Sequence, residues 1–340
     1  MTSIAYRIHS IIYYSNHSNN LVIIALCYYT LAASDPGIFG QPGGLRYEYW
    51  TDDDGVPYLV DSWKLSSRAQ SPNYNPDRHN QYHLFTRENP RVSQPILTGN
   101  QQSLTRSNFN ARRTTVFVLH GWGGRVTGNS MTTLIAALLA SQDLNVIGVD
   151  WSVGARPDPN FYNALASGQS VARFINWLGS FGVRGSNVVI IGYSLGGQQA
   201  GMIGRYTNER ISYISALDPP QRGHNFEFRA SDGAYTEVIH TDARMGGNPI
   251  GQVDFYPNGG RNQPGCGNDG QCNHARAYHF MAESLVSGGF TGIECESLQH
   301  ARNGRCGRPG RLRMGGLAPK PGRTGIYFLQ TNAAPPFSRG

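Results

Sequence analysis

Residues 187–197 read NVVIIGYSLGG. The four β-branched residues from Val188 to Ile191 favour a short buried strand. Gly192-Tyr193-Ser194-Leu195-Gly196 then satisfies Gly-x-Ser-x-Gly, and residues 198–206 continue with helical character. A strand, a sharp turn with serine at its apex and a helix form the context in which this motif presents a nucleophile. Side chains at positions 192 and 196 would strike neighbouring backbone, which explains glycine at both. The serine oxygen then projects near a helix N-terminus, where negative charge is favoured. A chain with 42 glycines also produces this pattern by chance, as a tight turn with an idle serine. The flanking strand and helix favour the nucleophile.

The same rhythm extends on both sides. TTVFVL (114–119), NVIGV (145–149) and ISYISAL (211–217) are further apolar runs. Residues 130–140 and 167–177 carry apolar side chains at helical spacing, and TEVIH (236–240) adds a strand. Residues 46–50 and 82–86 read as earlier strands around a polar, turn-like stretch at 66–80. Strands apolar on both faces, alternating with helices, predict an α/β class: a central, mostly parallel sheet with helices on both faces. Ligands of such sheets lie beyond the carboxyl ends of the strands. That rule selects His120-Gly121-Trp122, Ser194 and Asp218. A serine needs a base, and the base needs an acid to orient it. Asp218 ends the strand after Ser194 and is the expected acid, with turn capping as its competing role. The base stays open among His224, His240, His274, His279 and His300. His274 is favoured because it adjoins Cys272 and precedes a helical stretch at 276–285, while His240 at a strand end competes.

Size and composition bound the rest. The chain has 340 residues, 39% hydrophobic and 11% aromatic, enough for one large domain with a sizeable core. The apolar run LVIIALCYYTLAA (21–33) is too short to span a bilayer comfortably and is followed by small residues. It reads as a signal peptide, residues 1–34, ahead of a domain at 35–340, and so predicts a secreted, extracellular protein. Of five cysteines, Cys27 leaves with that segment. The even remainder suits an oxidising compartment, and local pairing gives Cys266–Cys272 and Cys295–Cys306, one of three connectivities. A zinc site is a weak rival without a Cys-x-x-Cys pair. The net charge of +7 comes with no nucleic-acid-binding motif, so no nucleic-acid partner is expected. Arginines gather between Arg302 and Arg323, a run that fits either a solvated loop or attraction to anionic head groups.

Nine stretches resemble the pancreatic lipase family, and within it the insect and venom phospholipase A1-like members: TRENP (86–90), VLHGWGG (118–124), NVIGVDW (145–151), GYSLGG (192–197), ALDP (216–219), EVIHTD (237–242), DFYPNGGRNQPGC (254–266), CNHARAYHFMAES (272–284) and GIYFLQTNAAPPF (325–337). The resemblance implies an α/β-hydrolase fold and a triad of Ser194, Asp218 and His274, and it sets His240 aside as structural. It also implies an oxyanion hole built from the backbone N–H groups of Leu195 and Trp122. Three departures from the family narrow the expectation. Only five residues, GNDGQ, separate Cys266 from Cys272, too few for the amphipathic lid of triacylglycerol lipases. The segment after Pro219 is short as well. No C-terminal β-sandwich is expected, hence no colipase. The family's calcium position falls near Glu227, Arg229 and Asp232 with a carboxylate missing, so neither metal nor cofactor is expected. The implied activity is hydrolysis of lipid esters at a membrane or micelle surface, phospholipase A1-like. Alternatives are a neutral triacylglycerol or galactolipid lipase, or a yolk-type lipid-binding protein on the same fold, whose relatives typically lack the nucleophile.

Overall fold

The computed structural model describes residues 47–52, 55–61, 69–156 and 160–340, all within the unit Ile38–Gly340. The expected signal segment, residues 1–34, lies outside the described residues. An antiparallel hairpin of β1 (Tyr47–Thr51) and β2 (Pro57–Asp61) forms a sheet of its own. Helix α1 (Pro76–His79) leads into the antiparallel pair β3 (Gln81–Phe85) and β4 (Gln94–Ile96), followed by α2 (Gln101–Thr105). The alternation read from the sequence then begins: β5 (Thr115–Leu119), α3 (Asn129–Ser141), β6 (Asn145–Asp150), α4 (Phe161–Gly179), β7 (Val188–Tyr193), α5 (Leu195–Tyr206) and β8 (Tyr213–Leu217). It closes with β9 (Tyr235–Ile239), β10 (Val253–Pro257), α6 (Gly270–Val286), β11 (Thr291–Cys295), α7 (Leu298–Arg302), β12 (Arg311–Arg313) and β13 (Gly325–Leu329).

The main sheet has eleven strands in the order β12-β11-β13-β10-β9-β8-β7-β5-β6-β3-β4. Its centre, from β6 to β13, is parallel, and β3, β4, β11 and β12 are antiparallel. Both faces are covered, as the apolar runs require. In β5, Val116 and Val118 join a core with Leu134, Leu138, Phe280 and Met281 of α3 and α6. Phe117 and Leu119, pointing the other way, join Phe174, Ile175, Ala200 and Ile203 of α4 and α5. This alternation is the strand period of two, applied to a sheet buried on both sides. Phe174 is fully buried, its ring stacked on Tyr82 at 3.8 Å between centroids. Burying such a side chain is worth roughly 1.5–3 kcal/mol.

Two differences from the sequence expectation bear on the site. Helix α6 begins at Gly270, not near residue 276, because the Asp269 carboxylate accepts the N–H groups of Gln271 and Cys272 as an N-cap. His274 therefore stands in a helix rather than in a loop. Strands β10 to β13 lie beyond those expected from the sequence: β10 to β12 are interrupted by charged or polar residues, whereas β13 is the apolar run Ile326-Tyr327-Phe328-Leu329. The cysteines pair locally: Cys266–Cys272 closes the turn before α6, with Cα atoms 5.4 Å apart, and Cys295–Cys306 ties β11 to the segment after α7, at 4.4 Å.

Candidate active site

The turn after β7 is strained by design. Ser194 has φ 56° and ψ −125°, and its N–H donates to Leu217 O at 2.8 Å. A Cβ on Gly192 would lie 2.0 Å from Gly196 O, and a Cβ on Gly196 would lie 2.5 Å from His120 O and 2.6 Å from Leu119 O. These are backbone atoms that no rotamer change can move. Gly196→Ala is expected to destabilise the fold by about 3 kcal/mol or more, seen as a Tm lowered by roughly 6–12 °C. A thermal unfolding curve superimposed on wild type would refute the steric reading.

The loop after β5 comes down onto this turn. A Cβ on Gly121 would lie 2.7 Å from Ser194 Cβ, so only glycine lets the loop approach so closely. His120 shapes the loop and is wholly buried. Its Nδ1–H donates to Gly121 O at 2.8 Å, its Nε2 accepts Trp151 N–H at 3.1 Å, and its carbonyl accepts the Trp151 indole N–H at 2.9 Å. With both ring nitrogens engaged, His120 is a brace and not a base. Trp122 follows it, buried with Val60, Trp151, Phe161 and Leu195 and meeting Tyr58 edge-on at 5.8 Å. Leu195 is the first residue of α5, where backbone N–H groups have no acceptor within the helix.

Asp218 leaves the end of β8 with φ 49° and is fully buried. Its Oδ1 accepts the N–H groups of Thr241 at 2.8 Å and Asp242 at 3.2 Å. Its Oδ2 bonds His274 Nδ1 at 2.6 Å. Both carboxylate oxygens of Asp218 thus have a hydrogen-bond partner, which fixes its orientation toward His274. The His274 ring lies on Tyr193, 4.6 Å between centroids, and Tyr193 meets Tyr278 edge-on at 5.1 Å. Ser194, His274, Trp122 and Leu195 all line one cleft of about 290 Å³. The other histidines lie elsewhere. His240 is buried, bonded to Asp254 at 2.9 Å and stacked on Tyr256. His224 stacks on Phe226, and burial lowers its pKa. His279 lies between Tyr278 and Phe337, its pKa lowered by burial and then by Arg276. His300 bonds Ser297 on α7.

Several contributors to this cleft carried no signal in the sequence. Gln263 bonds Thr241 O at 2.9 Å and Pro257 O at 3.0 Å, and its N–H donates to Asn273 at 2.6 Å. It so locks the loop whose N–H groups donate to Asp218 to the first turns of α6. Arg156 joins Gly123 O, the Tyr58 hydroxyl and Asp52, tying the hairpin to the Trp122 loop. Arg222 and Arg244 line the cleft beside residues 268–271 of the disulfide turn. Arg244 also holds Asp242 through Nε at 2.7 Å.

At the calcium position of the resemblance, Asp232 receives Arg205 at 2.9 and 2.8 Å, and Glu227 receives the N–H groups of Arg222 and His224. Among the described residues no cluster of three or more His, Cys, Asp or Glu could hold a metal ion. The arginine run near the C-terminus is largely engaged: Arg308 pairs with Glu294, while Arg302, Arg311, Arg313 and Arg323 donate to backbone carbonyls.

Sheet order, strand-end turns and cleft define an α/β hydrolase. The sequence pattern of the family described as Lipase matches residues 61–337. Pancreatic triacylglycerol lipase of Homo sapiens is 32% identical over 306 residues, covering 77% of this chain and 66% of that protein. Pancreatic lipase-related protein 2 of Cavia porcellus is 30% identical over 281 residues, covering 75% and 65%. The chain therefore spans about two thirds of the length of these relatives. Among solved structures, an α/β hydrolase from a Medee basin deep-sea metagenome library aligns over 49% of this chain and 66% of its own, at 13% identity and a TM-score of 0.33. The chain belongs to the pancreatic lipase family.

Proposed function

We propose that this chain is a secreted serine esterase that hydrolyses lipid carboxyl esters and, in the manner of phospholipase A1, releases the sn-1 fatty acid of phospholipids. The observation that carries the reading is the buried Asp218–His274 hydrogen bond opening into the cleft that Ser194 lines. Asp218 holds the proton of His274 on Nδ1, which leaves Nε2 as the acceptor. Ser194 Oγ gives its proton to Nε2 as it attacks the ester carbonyl. The N–H groups of Leu195 and Trp122 take the oxyanion. His274 then passes the proton to the departing alkoxide of the lysolipid. Water repeats the sequence on the acyl-enzyme and frees the fatty acid.

Two features support a phospholipid over a neutral glyceride. The turn between Cys266 and Cys272 is consumed by a disulfide and the first turn of α6, so it cannot supply a helical lid. Arg222 and Arg244 on the cleft wall suit a phosphate close to the scissile ester. Triacylglycerol hydrolysis is the second reading, supported by the identity to proteins of that name. The two disulfides fit an oxidising compartment. No helix among the described residues is long and apolar enough to cross a membrane. From the disulfides and the apolar run at 21–33 we read residues 35–340 as one hydrolase domain after a leader at 1–34. The test is product analysis on mixed micelles of phospholipid and triacylglycerol. Fatty acid from the sn-1 position of phospholipid is expected. Release from triacylglycerol alone would transfer the assignment to the second reading, and no release from either lipid would end both.

A further inference from the structure

The β1–β2 hairpin is hydrogen-bonded to no strand of the main sheet. Its inner face is occupied: Val60 is buried with Trp122, Trp151, Phe161 and Leu195, and Tyr58 meets Trp122. Two large apolar side chains of its outer face stand in solvent, with a third at the turn. Tyr49 is 73% exposed, Leu59 directly across from it 57%, and Val56 at the turn 47%. Val153, also exposed, lies on the loop whose Ala155 carbonyl accepts Gly123 N–H, and Gly123 packs against Asp52 of the hairpin turn. Of the eight large hydrophobic side chains exposed among the described residues, these four share the hairpin and the loop against it. The others, Val92, Leu97, Tyr206 and Val286, are on other elements.

Solitary exposed apolar residues need no explanation, but a group at one edge of a cleft does. Tyr49 belongs to both places: it projects from the hairpin and lines the cleft with Ser194 and His274. The apolar surface is thus continuous with the opening through which a substrate enters. A two-stranded hairpin is marginal in water by itself, and here its inner side is bolted down by Arg156 at Asp52 and Tyr58. The outer side is therefore held rigid, and Tyr49 and Leu59 upon it stand in solvent among the described residues.

We infer that the outer face of β1–β2, with Val153, is the surface on which the protein seats itself on a phospholipid aggregate. Its apolar side chains enter the headgroup boundary and the cleft mouth faces the lipid. The partner follows from continuity with a cleft read as taking lipid esters, so the inference rests on that proposed activity. In a lipase-type protein whose disulfide turn cannot fold a lid, this hairpin supplies the apolar contact with the lipid surface.

The test separates seating from chemistry. Val56→Ser and Leu59→Ser are combined, since neither residue lines the cleft. Binding is measured by sedimentation with vesicles of phosphatidylcholine containing about one-fifth phosphatidylglycerol, in a Ser194→Ala background so that no lipid is consumed. The expected result is a fall in vesicle partition of about tenfold or more. With Ser194 restored, the double variant should keep wild-type hydrolysis of a soluble short-chain ester while vesicle hydrolysis falls in proportion to binding. Partition within about twofold of the parent would overturn the inference, and so would a parallel loss on soluble and vesicle substrates, which would mark the hairpin as a support for the Trp122 loop. If the parent sediments and the double variant does not, yet no lipid is hydrolysed by the active chain, the esterase reading fails and the docking surface stands. If lipid is hydrolysed and the double variant sediments like its parent, the docking surface fails and the esterase reading stands.

Discussion

Replacing Ser194 with alanine is expected to reduce kcat on any ester by about 10⁶-fold while leaving the fold unchanged. The magnitude follows from how a nucleophile, its base and the orienting acid act as a unit: removing the nucleophile costs nearly as much as removing all three. What survives is the contribution of the oxyanion donors and of binding, about 10³–10⁴ over water. The fold is expected to survive because alanine keeps the Cβ that packs against Gly121. It also meets the same backbone demand, φ 56° and ψ −125°, that serine already meets. Three measurements check this together: the rate on a soluble short-chain ester, labelling by a fluorophosphonate, and Tm. Hydrolysis above about one per cent of wild type would remove Ser194 from the nucleophile's role, given the expected scale. Loss of both activity and Tm would show that the turn itself had collapsed.

The parts of this site that were legible in the sequence share one physical property. They lie at the ends of strands buried on both faces, and such strands betray themselves as unbroken apolar runs. VVII before Ser194 and YISAL before Asp218 are of this kind, and each became a central strand, β7 and β8. The histidine was not legible in that way, because a buried His–Asp pair occurs twice. His240 bonds Asp254 at 2.9 Å and His274 bonds Asp218 at 2.6 Å. Both are plausible partners on paper: the disulfide beside His274 tips the balance slightly, and the resemblance to a known family decides it. In three dimensions the difference is position: His274 lines the cleft and His240 stacks on Tyr256 away from it. The start of α6 was hidden because its N-cap, Asp269, sits among Gly267, Asn268 and Gly270, residues that ordinarily signal a turn. Strand β10 was hidden because it buries a carboxylate, Asp254, whose oxygens are satisfied by His240 and by the N–H groups of Ile250 and Gly251. A local pattern cannot report a polar group made tolerable by distant partners. Gln263 carries no local signal for the same reason, since all its value lies in joining three segments.

Asp218→Asn is expected to lower kcat by about 10⁴-fold, and the hydrogen bonds around Asp218 say why the loss should be so large for one atom exchanged. Two backbone N–H groups, from Thr241 and Asp242, point at Oδ1. An asparagine must turn its carbonyl oxygen toward those donors, because an NH₂ group there would face two N–H groups with no acceptor between them. The amide NH₂ is then forced to the Oδ2 position, where it confronts His274 Nδ1. Two donors cannot share that contact, so His274 moves its proton to Nε2 and accepts at Nδ1. The geometry is kept and the tautomer is wrong: Nε2 now carries a hydrogen where Ser194 must deliver one. Because every buried group still has a partner, Tm should move by little. The fluorophosphonate rate, which also needs a deprotonated serine, should fall with kcat, while KM for a soluble ester stays near wild type. An Asp218→Asn enzyme retaining more than about a tenth of wild-type kcat, against the 10⁴-fold loss expected, would mean that His274 takes its tautomer from some other group. A protein that unfolds instead would assign Asp218 to the architecture of the β8 turn rather than to the proton on His274.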